Sequence, residues 1–308
     1  MIEIDGFTKR FGSLTAVDEL NFKIAEKHIC GFIGPNGAGK STTIRVLATL
    51  SGADAGDARV GGFSVLRRPR DVRRIIGYMP EEFGVYDGMR VWEYIDFFGA
   101  AYGIKAAKRK RIVADVLELV DLTHKKDDLV QSLSRGMKQR LCLAKSLVHD
   151  PKALILDEPA SGLDPRARVE MKALLKELRK MGKTILISSH ILSELADLCD
   201  TVAIIERGKL LAYGNIADIA KKLREHRVVE IRLPAPSPTL NELLDKNLHV
   251  AGFEEFGGHF RVNFHGDNDA LVDLNREMIQ AGVPLMTVRE IETDLEEMFM
   301  KITTGAVQ

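Results

Sequence analysis

Residues 34–42 read Gly34-Pro35-Asn36-Gly37-Ala38-Gly39-Lys40-Ser41-Thr42 and fit the pattern GxxxxGK followed by Ser or Thr. An apolar run at 28–33 precedes them and a helical pattern from about Lys40 to Leu50 follows, which predicts a strand, a glycine-rich turn and a helix. Such a turn can direct backbone N–H groups at phosphate oxygens, and the helix N-terminus adds positive potential. We predict that all nine residues bind a nucleotide, with the Lys40 ammonium on its β- and γ-phosphates and the Ser41 hydroxyl on Mg²⁺.

A pair of carboxylates follows a second apolar run. The run at 153–156 ends at Asp157, and Glu158 comes next. Because a carboxylate at the carboxyl end of a strand in a parallel sheet lies beside the phosphate loop, we expect Asp157 to hold Mg²⁺ through water. Glu158 is then placed to orient or deprotonate the attacking water. Without the loop at 34–42, the same residues would be interpreted as an acidic turn that ends a strand.

Composition limits the class of protein. The chain has 308 residues, a length that favours about two domains. Lys plus Arg is 44 and Asp plus Glu is 44, and this zero net charge argues against a general nucleic-acid binder, so we expect no nucleic-acid partner. No run of about 18 apolar residues and no signal peptide is evident, so any membrane role is expected to come through a partner.

The order of patterns predicts an α/β first domain at 1–222. Continuous apolar runs at 153–156 and 184–188, joined by a helix at 166–181, indicate a parallel sheet with a crossover helix. Alternating residues at 1–24 predict antiparallel strands at an edge. A helical period across 86–120 and again at 137–148 predicts a helical subdomain at about 86–150.

The pattern changes after about residue 222 and predicts a second, accessory domain at 223–308. The order of its elements is βαββαβ, which is typical of a small ferredoxin-like α+β unit. The predicted elements are a strand at 228–233, a helix at 239–246, strands at 248–255 and 259–264, a helix at 268–281, a strand at 284–289 and a last amphipathic helix at about 293–302.

Taken together, residues 1–220 resemble the nucleotide-binding domain of ABC ATPases, a P-loop NTPase fold. Leu133-Ser134-Arg135-Gly136-Met137 occupies the position of the family's LSGGQ signature. The resemblance implies that Ser134 and Gly136 contact the γ-phosphate held by an opposite subunit, although Ser134 also fits a helix N-cap. Ser161-Gly162-Leu163-Asp164 matches the family's D-loop, which crosses the dimer interface.

Four further site residues come from the same resemblance. His190 follows the strand at 184–188 and matches the switch histidine, which hydrogen-bonds the γ-phosphate. Phe11 matches the aromatic that stacks on adenine, with Val17 beside it, although Phe11 also fits a core position. Glu81 stands where the family has a Gln that ligates Mg²⁺, and a carboxylate is a good hard ligand for that ion.

Seven aromatic residues at 83–102 leave two interpretations open. They form either a local core of the helical subdomain or the surface on which the family receives a membrane subunit. The seven are Phe83, Tyr86, Trp92, Tyr94, Phe97, Phe98 and Tyr102.

The resemblance implies an ATPase: a motor subunit that binds ATP and Mg²⁺ in a head-to-tail homodimer or heterodimer. It would lie on the cytoplasmic face of a membrane and couple hydrolysis to export through a separate integral membrane permease that docks near 83–102. The alternative is a non-transport ABC ATPase that acts as a soluble regulator or on ribosomes or RNA. The ribosomal class usually carries two cassettes in one chain, whereas this chain has one.

Overall fold

The computed structural model describes residues 1–82, 84, 86, 88–216, 218–219 and 227–291. These residues form two compact units, the first reaching residue 216 and the second beginning at 218. The predicted domain boundary near 222 and the predicted helix at 293–302 lie outside the described residues, and both stay predictions. No helix within the described residues is long and apolar enough to cross a lipid bilayer.

The first unit alternates strands and helices along the chain. Its elements are β1 (Ile2–Phe11), β2 (Leu14–Ile24), β3 (Ile29–Ile33), α1 (Lys40–Leu47), β4 (Ala55–Val60), β5 (Phe63–Ser64), α2 (Pro69–Ile75), β6 (Ile76–Met79), α3 (Val91–Ala101), α4 (Ala106–Leu119), α5 (Arg135–Leu147), β7 (Ala153–Leu156), α6 (Pro165–Lys180), β8 (Thr184–Ser189), α7 (Leu192–Ala196), β9 (Thr201–Glu206) and β10 (Lys209–Gly214). Short 3₁₀ turns at Thr123–Lys125 and Val130–Ser132 connect α4 to α5.

A six-stranded sheet in the order β10-β9-β3-β8-β7-β6 forms the centre of this unit. All of its pairs are parallel except the hairpin between β9 and β10. Every residue of β3, β7 and β8 is buried, as expected for strands that are covered on both faces. The apolar runs at 153–156 and 184–188 are thus confirmed as parallel strands.

A second sheet, in the order β2-β1-β4-β5, is entirely antiparallel. The sequence placed its first two strands at an edge, but here they form a separate layer. One apolar cluster joins Phe22 of β2, Ile44 and Leu47 of α1, and Phe32 and Leu186 of the central sheet. The main core therefore lies between the two sheets and includes α1, so the helix that follows the glycine-rich turn is held from both sides.

The helical subdomain consists of α3, α4 and α5, which contact one another. The helical period at 86–120 corresponds to two helices, at 91–101 and 106–119. The chain turns between them after Ala101. There Arg109 of α4 donates to both carboxylate oxygens of Asp96 on α3, at 2.7 and 3.1 Å, and to the Ile104 carbonyl at 2.9 Å. These bonds link the two helices across the turn.

The second unit has its own sheet and core. Its described elements are β11 (Arg227–Arg232), α8 (Pro238–Lys246), β12 (Val250–Phe256), β13 (His259–Phe264), α9 (Asn268–Gln280) and β14 (Thr287–Ile291). The sheet is antiparallel, in the order β12-β13-β11-β14. Its apolar cluster includes Ile231, Phe260 and Phe264 of the sheet with Leu240 and Leu274 of the helices. One face of the sheet is therefore covered by α8 and α9.

We predict that Leu186→Ala destabilises the first unit by about 2–5 kcal/mol, because it leaves a cavity under a strand that has no exposed residue. Urea denaturation monitored by circular dichroism measures the loss. Val169→Ala on α6 is the matched control, since this side chain is 66% exposed and its truncation removes little buried surface. Equal shifts for the two variants would contradict the placement of β8 in the core.

Candidate functional site

The carboxyl ends of three parallel strands meet at one edge of the central sheet. Ile33 of β3 is paired with Ser189 of β8, and Leu156 of β7 is paired with Ile187 of the same strand. The glycine-rich turn, the carboxylates after β7 and the histidine after β8 therefore leave the sheet side by side. In the sequence, the turn lies more than a hundred residues before the carboxylates, and the histidine follows them 32 residues later; the strand register brings all three together.

A cavity of about 720 Å³ opens at this edge. Among the residues predicted to form the site, it is lined by Phe11, residues 35–42, Glu81, Glu158 and His190. Gly34 lies beneath the turn, where its N–H donates to the Ser189 carbonyl at 3.4 Å. The volume falls in the range of small-molecule and cofactor sites. Most of the predicted set is therefore gathered around one cavity.

The turn at 34–39 is held in a conformation that exposes its backbone to the cavity. Gly39 precedes α1 with φ of 104°, a value that L-residues rarely adopt, and a Cβ there would lie 2.5 Å from the Ala16 carbonyl oxygen. Lys40 is buried, and its Nζ donates to the carbonyls of Gly34 at 2.7 Å and Pro35 at 3.1 Å. An ammonium has three donors, so these bonds leave one N–H for an anion in the cavity.

A serine hydroxyl fixes the acidic turn after β7. Ser188 Oγ donates to Asp157 Oδ1 at 2.6 Å and accepts from the backbone N–H of Glu158 at 2.9 Å. Asp157, Glu158 and Ser188 are all buried. Glu158 has a φ of 46°, which is uncommon outside glycine, and the Ser188 bond helps to hold this backbone. The result is a carboxylate aimed at the cavity from a fixed turn.

The Glu158 carboxylate lies between two basic groups. Its oxygens are 3.1 and 3.2 Å from His190 Nδ1, and Oε1 is 3.9 Å from Lys40 Nζ. Burial raises the pKa of Glu158 above the usual value for a glutamate, and His190 and Lys40 oppose that shift. Burial lowers the pKa of Lys40, while the carboxylates of Glu158, Asp157 and Glu81 oppose that change. The raised pKa of Glu158 makes it a stronger base than an exposed glutamate.

The two residues predicted to contact the adenine of a nucleotide, Phe11 and Val17, differ in their exposure to the cavity. Phe11 is 54% exposed at the end of β1 and lines the cavity. Val17 is fully buried in the main core and is absent from the cavity wall. Its side chain lies beneath the turn, where a Cβ on Gly39 would be 3.1 Å from Val17 Cγ2, and its contact with a nucleotide stays a prediction.

Ser134 and Gly136 do not line the cavity that contains residues 35–42. Ser134 is the N-cap of α5, and its hydroxyl accepts from the Met137 N–H at 3.3 Å. The capping interpretation is therefore confirmed. Ser134 and Gly136 are therefore not placed to contact a nucleotide that binds in the cavity of their own chain.

The candidate magnesium ligands supply only part of a coordination shell. Ser41 and Glu81 line the cavity, and Asp157 is buried behind it with one oxygen bonded to Ser188. Within the described residues, no group of three or more His, Cys, Asp or Glu side chains is arranged to hold a metal. Hydroxyl and carboxylate oxygens nevertheless fit Mg²⁺, which commonly takes one or two carboxylates and completes its shell with phosphate and water.

Several residues of the site were missed from the sequence. Ser188 had no motif of its own, because its role depends on which strands become neighbours. Others lie on β2, on the D-loop or at the end of β9, and only the tertiary structure brings them to the cavity. These lining residues are Leu14, Thr15, Ala16, Ser161, Glu206 and Arg207.

Comparison with known proteins places these observations in a family. Residues 17–161 match the family described as ABC transporter. The bacitracin transport ATP-binding protein BcrA of Bacillus licheniformis is 35% identical, with 99% of this chain and 98% of that protein covered. The Nod factor export ATP-binding protein I of Mesorhizobium japonicum is 38% identical over 98% of this chain and 86% of its own length. The linearmycin resistance ATP-binding protein LnrL of Bacillus subtilis is 29% identical, with 98% of both chains covered.

Solved structures agree on the fold. The ATP-binding subunit of an ABC transporter superposes with a TM-score of 0.66 at 28% identity, covering 73% of this chain and 93% of that one. The ATP-binding cassette MJ0796, in a dimeric post-hydrolysis state with ADP and Pi, gives 0.64 at 20% identity, covering 70% and 99%. Neither structure spans the whole chain, so the ferredoxin-like character of the second unit stays a prediction.

The glycine-rich turn, the cavity beside Glu158 and His190, and relatives that match over almost their full length lead to one conclusion: this chain belongs to the ABC transporter family, as an ATP-binding subunit with ATPase activity.

Proposed function

We propose that the chain is the motor subunit of an exporter and that it couples ATP hydrolysis to movement of a substrate through a separate membrane subunit. The observation that carries the hydrolytic part is the position of the Glu158 carboxylate, at the cavity wall between His190 and Lys40. The export part rests on relatives named for bacitracin transport and Nod factor export that match almost the whole chain.

Hydrolysis follows from the side chains around the cavity. Lys40 has a donor directed to the phosphates, and the N-terminus of α1 adds positive potential beside it. Glu158 accepts a proton from the attacking water, and its raised pKa favours that transfer. The His190 ring holds the Glu158 carboxylate in place and offers its other nitrogen to the γ-phosphate. Phe11 is exposed at the cavity rim, where its ring can stack on adenine.

Three residues are proposed to hold Mg²⁺. Ser41 would bind it directly and Asp157 through water, and Glu81 would take the place of the glutamine that the family has at this position. When bound, the ion neutralises charge on the phosphate oxygens. Glu81 adds a negative charge to a cavity wall that already carries Glu158, which is one reason for the raised pKa of Glu158. Binding of the ion beside Glu81 would offset this repulsion.

A second subunit is proposed to complete the site. Ser134 and Gly136 lie at the N-terminus of α5, where backbone N–H groups and positive potential favour an anion, yet they stand outside the cavity of their own chain. A head-to-tail dimer, of two identical or two related chains, would bring this helix end to the γ-phosphate in the opposite cavity. Two nucleotides would then join the subunits, and their hydrolysis would release them.

The membrane subunit is proposed to dock on exposed aromatic rings near 83–102. Tyr94 is buried, so the interpretation of these aromatic residues as a local core holds for that side chain. Tyr86 is 52% exposed, and its ring lies 5.6 Å from the ring of Phe97, which is also exposed. Trp92, on α3, and Tyr102, directly after α3, are also exposed. Phe83 lies outside the described residues. Docking here would hold the chain at the cytoplasmic face of the membrane.

We predict that Glu158→Gln lowers the rate of ATP hydrolysis by about 10²- to 10⁴-fold, because an amide cannot accept the proton of the attacking water. Nucleotide binding should persist, since the residues of the turn are unchanged. Phosphate release and retention of labelled ATP measure the two effects. Glu177→Gln, on the exposed side of α6, serves as the control. A Glu158→Gln chain with near-normal turnover would exclude Glu158 as the base.

Ser188→Ala should destabilise the first unit by about 1–3 kcal/mol, since it leaves the buried Asp157 Oδ1 and the Glu158 N–H without their partner. The rate of ATP hydrolysis should fall with it, because the turn that aims Glu158 loses its support. Chemical denaturation and steady-state hydrolysis provide the two measurements. Ser146→Ala removes a buried hydroxyl that bonds only within α5, so it should change the rate little. Matching effects of both variants on the rate would argue against the bridge.

Tyr86→Ala should reduce recovery of the membrane subunit by about ten-fold, the usual cost of losing an aromatic anchor at an interface. The measurement is affinity capture of the Glu158→Gln chain from native membranes with Mg²⁺ and ATP, with and without the second change. Leu50→Ala, an exposed apolar side chain elsewhere on this unit, is the control. Recovery of only soluble proteins or ribosomes by the Glu158→Gln chain would refute the exporter proposal.

A further inference from the structure

The N-terminal turn of α5 is bound to the D-loop (Ser161–Asp164) of the same chain. Gln139 Nε2 donates to the Ser161 carbonyl at 2.9 Å, and Arg135 Nη2 lies 3.4 Å from the same oxygen. Residues 135 and 139 are four apart, so they occupy one face of the helix and reach one target. A carbonyl oxygen has two lone pairs and can accept both donors. Two side chains of α5 thus converge on a single backbone atom.

Arg135 also limits which residue can occupy position 162, directly after Ser161. Gly162 has a φ of 67°, and a Cβ built on it would lie 2.5 Å from Arg135 Cζ. The guanidinium therefore occupies the space that a side chain at 162 would need. At the next residue, a Cβ on Gly136 would meet Leu163 Cδ2 at 3.4 Å, an ordinary contact distance. The start of α5 and the D-loop consequently pack together along several residues.

On its other side, Ser161 is bonded to the backbone of Glu158, the residue that carries the proposed catalytic carboxylate. Its N–H donates to the Glu158 carbonyl at 3.0 Å, while its own carbonyl accepts from α5. Ser161 also lines the cavity. A chain of direct contacts therefore runs from Arg135 through Ser161 to Glu158, all within one subunit.

We propose that Arg135 is a positioning residue that makes the segment 134–136 and the turn carrying Glu158 move as one body, and thereby couples the two nucleotide sites of a dimer. This inference rests on the head-to-tail dimer proposed above, in which 134–136 contacts the partner's nucleotide while Glu158 acts on its own. Movement of α5 on release of one γ-phosphate is then transmitted to the carboxylate at the other site. The coupling is mechanical, and the guanidinium itself touches no phosphate.

Loss of the guanidinium should weaken this coupling while leaving nucleotide binding intact. In Arg135→Ala, Ser161 keeps only the Gln139 bond and the D-loop gains freedom next to Gly162. We expect the Hill coefficient for ATP hydrolysis to fall towards 1 and kcat to fall about five-fold, the lower end of common coupling effects. The affinity of a single subunit for a nucleotide analogue should stay within about two-fold of the parent chain, because Arg135 does not line the cavity that contains residues 35–42.

The experiment compares the parent chain with Arg135→Ala, Arg135→Lys and the control Arg74→Ala. Arg74 is an exposed arginine on α2 whose ion pair lies within its own helix. Lysine keeps one donor and the charge but lacks the planar fork of arginine, so Arg135→Lys should recover part of the Hill coefficient. Hydrolysis is measured against ATP concentration, and analogue binding and thermal unfolding are measured on the same samples.

A double-mutant cycle with Gly162→Ala isolates the contact. In the parent chain, the added methyl must displace the guanidinium in addition to straining the backbone. In an Arg135→Gly chain only the strain remains, so Gly162→Ala should lower kcat by a smaller factor there. Equal factors in both backgrounds would show that the two residues do not act together, and would overturn the proposal even if Arg135→Ala had folded poorly.

The remaining outcomes separate this inference from the function on which it rests. A parent chain that forms no dimer with ATP in the Glu158→Gln background would refute the proposed dimer and the coupling together. A cooperative, dimerising parent whose Arg135→Ala variant is equally cooperative would overturn the coupling alone. Failure of the Arg135→Ala, Glu158→Gln double variant to dimerise with ATP would show that Arg135 is needed to form the dimer itself, which contradicts a role confined to coupling its two sites.

Discussion

Parallel pairing of β3 with β8 and of β8 with β7 is the constraint on which the rest of the site depends. The pairing of Leu156 with Ile187 places Ser188 opposite Asp157, and a bond of 2.6 Å joins them. A slip of one residue would move the carboxylates about 3.3 Å along the strand and turn Ser188 to the other face of the sheet. The bridge would then be lost, and so would the support for the positive φ of Glu158. Since both faces of these strands are buried, the register is fixed by packing well away from the cavity.

The opposite charges of Lys40 and Glu158 compensate only part of the cost of burying them. Lys40 and Glu158 are both buried, yet 3.9 Å separates their charged atoms, which is too far for a hydrogen bond. The pKa of each group is therefore shifted towards its neutral form by burial, and the neighbours only reduce the shift. A phosphate oxygen placed at Lys40 would supply the missing counter-charge. The burial that disfavours the charged form of Lys40 is thus offset when an anionic group such as a phosphate lies beside it.

Local sequence predicted the parts of the site that depend on local backbone. The turn at 34–42, the acidic pair at 157 and 158 and the buried strands required only residue spacing and apolar runs, and the strands agree with the structure to within a residue or two. Contacts between distant segments were harder to infer. Ser188 acquires its role from its neighbour strand. Val17 was assigned beside Phe11 from the family resemblance, which does not reveal that its side chain is buried in the main core. The helical period at 86–120 did not locate the turn after Ala101, where the first of the two helices ends.

The segment from Glu158 to Asp164 is held at three points by three different elements. Ser188 of β8 holds its first residue, α5 holds Ser161 through Gln139, and Asp164 caps α6 by accepting from the Ala167 N–H at 2.9 Å. A loop fixed at its start, middle and end has little freedom to absorb movement of one element without passing it to the others. The Glu158 carboxylate, the proposed base, is therefore sensitive to the position of α5 and α6, although neither helix contributes a side chain to the wall of its cavity. In a fold whose strands are locked by register, this loop is the segment through which motion of the helices can reach that carboxylate.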